Sequence, residues 1–311
     1  VYSLTILDFG NQEEQLMLKL LGSPQDPLEQ DDPFLLDYVR DRVLEEPSHG
    51  EYNLMVSDKS PAGKKYNEYR TDGVSSWVFI NKTLDKLFAG IHNGFFVEAG
   101  ALDGEYTSNS LELERQGWSG LLVEVDQDMV VKLKEKKRKA WSAHACLATK
   151  PYPHVATLMK MSKRKSDNQM GSVEIKALSA LSDTRDIERR QKYGDQHYVT
   201  VQCYPVYTLL KALGVSKVDF ISLDVEDVEV SVLENFPFEK MQVDVWAVEH
   251  RHPDAHVFEF IGEDPQFIKW FSTKGYSMYK YYKNDYIFIR KGSNVHKRAF
   301  KNNKSIHKLK L

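Results

Sequence analysis

Phe95-Phe96-Val97-Glu98-Ala99-Gly100-Ala101-Leu102-Asp103-Gly104-Glu105 is an apolar run that enters a turn with two glycines, and a helical pattern over 107–117, closed by Gly117, follows it. That succession reads as a buried strand, a tight turn and a helix. Gly100 and Gly104 allow unusual dihedrals and bring main-chain N–H groups close to a ligand, and the helix start supplies more of them. The spacing departs from the G-x-G-x-x-G fingerprint, and Glu98 at the strand end would repel a pyrophosphate, so a cationic or zwitterionic ligand suits the turn better.

Outward from this turn the same grammar repeats. Gly120–Val125 reads as a second strand, 127–138 as a helix with a basic tail, and Trp141–Ala148 as a third strand. Further strands are expected at Val199–Tyr204, Val218–Leu223, Val243–Val248 and Tyr286–Ile289, with helices at Tyr207–Leu213, Val228–Phe236 and Asp264–Gly275. Short apolar runs alternating with amphipathic helices indicate a doubly wound, mostly parallel sheet of seven strands with helices on both faces. Residues 155–200 show weak periodicity between charged stretches and read as loop and insertion. The late tyrosines Tyr276, Tyr279, Tyr281, Tyr282 and Tyr286 read as packing of a strand or hairpin.

The flanks differ in charge. Residues 1–50 hold eleven Asp or Glu against three Lys or Arg and four prolines, an acidic arm in which Asp31-Asp32-Pro33 starts a short helix; Trp77–Phe88 recovers a helical period. Residues 290–311 carry eight Lys or Arg and no acid. The boundaries expected are an arm and helical extension over 1–90, a domain over 91–292 and a basic tail over 293–311.

With 42 basic and 45 acidic side chains in 311 residues, the net charge of −3 gives no general reason to bind nucleic acid. No run of apolar residues is long enough to span a bilayer. The chain starts at Val1 and reads as a processed or trimmed piece. Cys146 and Cys203 permit at most one bridge and exclude a multi-cysteine zinc site, and Asn81-Lys82-Thr83 and Asn303-Lys304-Ser305 fit the N-glycosylation pattern. Nothing in the pattern specifies an oligomer.

Glu124 closes the second strand twenty residues beyond Gly104, a separation at which neighbouring parallel strands bring an acid to the ribose of a nucleoside cofactor. Asp224, Glu226, Glu249 and His250 end later strands on the same side, where open α/β sheets bind ligands. Oxygen- and nitrogen-bearing groups of this kind suit a divalent metal, and Asp224, Glu249 and His250 are the expected ligands. A dinucleotide-dependent oxidoreductase is disfavoured by the turn spacing and by Glu98.

Strand, turn and ribose acid together resemble S-adenosylmethionine-dependent methyltransferases. The detail is similar to the FkbM type, with a V-E-x-G-A-x-D-G-E opening at Val97–Glu105 and a D-V-E-G element matched by Asp224-Val225-Glu226-Asp227, over residues 90 to 292. Asp227 stands where that pattern has glycine, so the turn is expected to change shape or to carry extra charge. A further resemblance is to animal Star-like proteins, on Gln30–Pro33, Gly94–Glu105, Ser108–Glu114 and Gly117–Glu124.

The resemblance implies a Rossmann-like class I methyltransferase fold with S-adenosylmethionine as cofactor. Glu98, Gly100, Ala101, Asp103 and Gly104 would then shape the methionine and ribose side, Glu124 and Val125 the ribose, and Cys146 and Leu147 the adenine, with Asp224 beside the cofactor. Asp224, Glu226 and His250 would serve catalysis, with Mg²⁺ or Mn²⁺ as the candidate metal. A small-molecule or glycan acceptor is implied by the enzyme reading. The Star-like likeness implies instead a protein cargo handled by a silent interaction factor, in the secretory lumen or outside the cell, with a cytoplasmic address as the alternative and any membrane attachment through a segment outside this chain.

Overall fold

A computed structural model describes residues 14–54, 76–164 and 172–301. Residues 14–20 form α1, Pro33–Arg42 α2, Leu44–Glu45 the short strand β1 and Ser76–Leu87 α3. The α/β part begins with β2 (Phe95–Ala99), α4 (Leu111–Arg115), β3 (Ser119–Glu124), α5 (Gln127–Glu135), β4 (Trp141–His144) and β5 (Cys146–Leu147). It continues through β6 (His154–Ser162), α6 (Ser172–Lys176), β7 (Ala180–Leu181), α7 (Ile187–Arg190), β8 (Asp195–Tyr204) and α8 (Val206–Ala212). Then come β9 (Lys217–Leu223), α9 (Glu229–Glu234), β10 (Gln242–Glu249), α10 (Pro265–Thr273), β11 (Tyr276–Tyr282), β12 (Asp285–Arg290) and α11 (Asn294–Lys301).

The main sheet has the order β4-β3-β2-β9-β10-β12-β11, with β1 added on the β4 edge. β4 through β10 pair in parallel, and β12 runs against both of its neighbours. This is a doubly wound, Rossmann-like α/β architecture, and the chain reverses its direction of growth between β2 and β9. Alternation along the strands sends successive side chains to opposite faces. Phe96, Leu122 and Phe220 pack with α3 on one face, while Val97, Leu121, Ile221 and Trp246 pack on the other with α2, α8 and α10. Capping fixes two helix starts: Asp32 accepts from the N–H groups of Phe34 and Leu35, and Asp264 from those of Gln266 and Phe267, each with proline at the first helical turn.

The membership of the sheet differs from the sequence reading in four ways. β1 makes an eighth strand, Tyr276–Tyr282 is a full strand of the main sheet, the strand expected at Val199–Tyr204 belongs elsewhere, and the strand expected at Trp141–Ala148 is split, with Cys146–Leu147 passing to a second sheet. The segment read as loop and insertion is a second sheet of order β5-β8-β6-β7, whose β6 and β8 pair antiparallel from His154↔Cys203 to Ser162↔Asp195. Most of β8 faces solvent, so only its Val199–Tyr204 half is marked in the sequence, and its stability comes from pairing with β6.

Cys146 and Cys203, side by side on β5 and β8, form a disulfide. It closes the chain from 146 to 203 into a covalent loop at the foot of the second sheet, which is joined to the main sheet through Ala145, whose N–H donates to the carbonyl of Glu124. Asn81 is buried on α3, its amide donating to the Trp77 carbonyl, so that sequon offers no glycan acceptor in the folded chain. Asn303 and the tail beyond 301 lie outside the described residues, as do residues 1–13 of the arm. Among the described residues no helix is long and apolar enough to cross a membrane.

Gly100 (φ +83°) sits where a Cβ would lie 1.9 Å from the Asp224 carbonyl oxygen. Gly100→Ala is expected to lower stability by about 3 kcal/mol or more, read as a shifted urea midpoint at unchanged slope. Replacing Cys146 and Cys203 together by serine is expected to cost roughly 2–4 kcal/mol in the same assay.

Candidate functional site

The carboxyl ends of β2, β3, β4 and β9 surround a cleft at the point where strand order reverses, the place where open α/β sheets bind ligands. Gly100 and Leu102 form one lip, Val123, Glu124 and Val125 the floor, and Asp224, Val225 and Glu226 the opposite wall. Ala145, Cys146 and Leu147 line an apolar side that Leu158 and Leu181 of the second sheet complete. Glu124 is held rigidly: Oε2 accepts from the Leu102 N–H at 2.7 Å and Oε1 from the Asp126 N–H at 2.7 Å. Burial nevertheless pushes its carboxyl up to about 7, against those two N–H groups. Each oxygen keeps acceptor capacity for a hydroxyl donor.

Lys160 and Lys176, from β6 and α6, both ion-pair with Asp126 and Asp128 at the start of α5, at distances from 2.6 to 3.2 Å. These bridges fasten the second sheet beside Glu124. Nothing in the spacing of 155–200 signals that role, because the partners lie more than thirty residues away in the chain.

Other expected residues stand apart from the cleft. Glu98 shares a strand face with Phe96 and points toward α4, where it accepts from the Ser108 and Ser110 hydroxyls and the Asn109 N–H. Arg138 reaches the same buried knot and pairs with Glu114 at 3.0 Å. Asp103 caps its own turn through the N–H groups of Glu105 and Tyr106. Ala101 is packed in the α3 face, and Gly104 abuts Leu133, so neither lines the cleft. The period-two alternation of β2 is the reason: Val97 and Ala99 share one face, Glu98 the other.

At the ends of β9 and β10 the carboxylates crowd. Oxygens of Asp224, Glu226 and Glu249 all lie within 4.8 Å of one another. Burial raises all three, Glu249 furthest, because Asp224, Glu226, Asp285 and Glu229 add like charge around it. The same causes push Glu229 up to about 8 and Asp285 to about 7. Of the metal ligands expected from sequence, His250 is not in this cluster, and Glu226 takes its place. His250 Nε2 lies 2.9 Å from Asp264 and its ring stacks on Phe267, facing an outer groove with its basicity lowered by burial.

Arg190 of α7 reaches Glu226 at 2.6 Å and Asp227 at 2.8 Å, and Arg251 also grips Asp227. Asp227 keeps the left-handed backbone (φ 80°) that the glycine of the D-V-E-G pattern would adopt, next to Glu226 at φ 61°. Its extra charge is offset by the two arginines rather than presented to the cleft, whose lining it does not join. Neither arginine was indicated by any local motif.

A family model described as the methyltransferase FkbM domain matches residues 98–278, more than half of the chain. The chain belongs to the FkbM methyltransferase family. Methyl transfer is therefore its chemistry, and the family implies S-adenosylmethionine as donor. A comparison with curated proteins finds no match. The chain is also similar, at 12% identity, to the solved structure of a Pyrococcus horikoshii protein provisionally assigned as an RNA methyltransferase. That likeness covers 83% of this chain and 98% of the other at a TM-score of 0.32, too loose for residue comparison.

The cleft of this FkbM domain fits such a donor by its own chemistry: an apolar slot, a buried carboxylate with spare acceptor capacity, and a wall of acids for a cation. Ribose hydroxyls would donate to ionised Glu124, so affinity for S-adenosylhomocysteine is expected to weaken as pH falls below about 7, approaching tenfold per unit. Calorimetry between pH 8 and 6 checks this, and Glu124→Gln should flatten the dependence to the residual slope of the acid cluster.

Proposed function

We propose that the chain methylates a hydroxyl oxygen of a small molecule or glycan. The observation that supports this most is the juxtaposition of Glu124, with acceptor capacity to spare, and the Asp224–Glu226 wall on opposite sides of one cleft. S-adenosylmethionine supplies an activated methyl group on a sulfonium; the S–CH₃ bond breaks as the O–CH₃ bond forms, and S-adenosylhomocysteine leaves. Glu124 holds the ribose, Cys146 and Leu147 border the adenine, and the carboxylates at the far wall favour the positive end of the donor. The hydroxyl proton passes to a carboxylate of the Asp224–Glu226–Glu249 cluster. Their raised proton affinity makes them better proton acceptors than free carboxylates. His250, occupied by Asp264, acts as a positioning residue for the β10 end.

The same three oxygens form a hard donor set that Mg²⁺ or Mn²⁺ would accept, in competition with Arg190 for Glu226. An acceptor screen with and without these ions tests that addition. The Star-like likeness, with a lumenal or extracellular address, remains part of the reading, and the Cys146–Cys203 bridge favours an oxidising compartment. Alkylation of denatured, unreduced protein from its native source should leave both cysteines unmodified.

The deciding test is calorimetric titration with S-adenosylmethionine and S-adenosylhomocysteine. Micromolar binding, abolished in Glu124→Ala, is the expected result, and Glu226→Gln should then lower kcat on the order of 100-fold while S-adenosylhomocysteine still binds. Well-folded protein that binds neither ligand would favour the other reading, a silent cargo-export factor built on this fold.

A further inference from the structure

Beside the cofactor cleft lies a second, partly open cavity of about 80 Å³. Arg190, Glu226, Glu249, Phe258, Phe260 and Asn284 line it, and Glu226 belongs to both spaces. A ligand there would meet the cofactor across a single side chain.

Arg190 is 1% exposed, and its Nη groups are spent on Glu226, Asp227 and the Leu178 carbonyl, yet its Nε has no partner among the described residues. Phe258 and Phe260 are about half exposed at the other side of the cavity. Phe258 holds a left-handed backbone (φ 66°), uncommon for a bulky residue, and packs edge-on against Tyr193.

The charges narrow the ligand. A cation would meet the guanidinium groups of Arg190 and Arg251, and Lys283 already stands 5.3 Å over the ring of Phe260. An anion would meet Glu226, Asp227, Glu229 and Glu249. What remains is a neutral molecule with an apolar face for the phenyl rings and a rim of hydroxyls for the carboxylates and the Asn284 amide. A pyranose ring has both.

We propose that this cavity is the acceptor site and that it takes a neutral sugar ring, packed on Phe258 or Phe260 with one hydroxyl directed toward Glu226. The assignment rests on the methyl-transfer reading for its consequence, and on the cavity alone for its binding.

Saturation-transfer NMR on the full chain, with S-adenosylhomocysteine added, tests it with methyl glycosides of glucose, galactose, mannose and N-acetylglucosamine, and with choline and inorganic phosphate as charged counter-probes. The expected result is transfer to the ring C–H protons of at least one glycoside, weakened about tenfold in Phe260→Ala, which is half exposed and should fold normally. Protein that binds S-adenosylhomocysteine but no glycoside overturns the assignment. So does stronger binding of choline or phosphate, or glycoside binding indifferent to both Phe258→Ala and Phe260→Ala. Glycoside binding that depends on Phe260 in protein that ignores S-adenosylhomocysteine upholds the sugar site and sinks the transfer reading instead.

Discussion

The main chains leaving β2 and β9 pass so closely that Gly100 has no room for a side chain. The Asp224 N–H donates to the Ala99 carbonyl, and the Gly100 N–H donates to Val123 on the other side. This contact joins the two halves of the sheet where strand order reverses. It brings Glu124, fixed by the Leu102 N–H, into the same cleft as Asp224, so the glycine turn determines which side chains face each other. Helices on both faces serve mainly to keep these strand ends in register.

Around that contact the protein accepts an electrostatic burden. Asp224, Glu226, Glu229, Glu249 and Asp285 are gathered at one end of the sheet, where burial and mutual repulsion raise their proton affinity. Arg190 offsets part of the charge and ties the cluster to the second sheet, while Arg251 does the same from the loop after β10. Their counter-charges are few and already shared, so the acids keep a raised proton affinity.

The strands and the cleft floor were legible because their signals are local. An apolar run into a glycine turn marked β2, and twenty residues of spacing carried Glu124 to its neighbour. Glu98 shows the limit: a residue in the right motif can face away, since a period of two is indifferent to which face holds the ligand. The second sheet was hidden for a different reason. β6 and β8 order each other across the chain and β8 exposes most of its length, so apart from Val199–Tyr204 neither is marked as a strand in the sequence. Arg190 and Lys176 act through partners tens of residues distant, which no window along the sequence reveals.

The disulfide at the foot of the second sheet has a consequence for how such a protein can change. Between Cys146 and Cys203 the chain leaves the parallel sheet and returns to almost the same point, a separation of 57 residues pinned at both ends. Lengthening a closed excursion adds little further entropy, about 0.6 kcal/mol per doubling. Insertions at its tip can therefore accumulate without disturbing the strands beneath, and since α7 carries Arg190 into the second cavity, this is the segment through which descendants could exchange one acceptor for another while leaving the donor cleft intact.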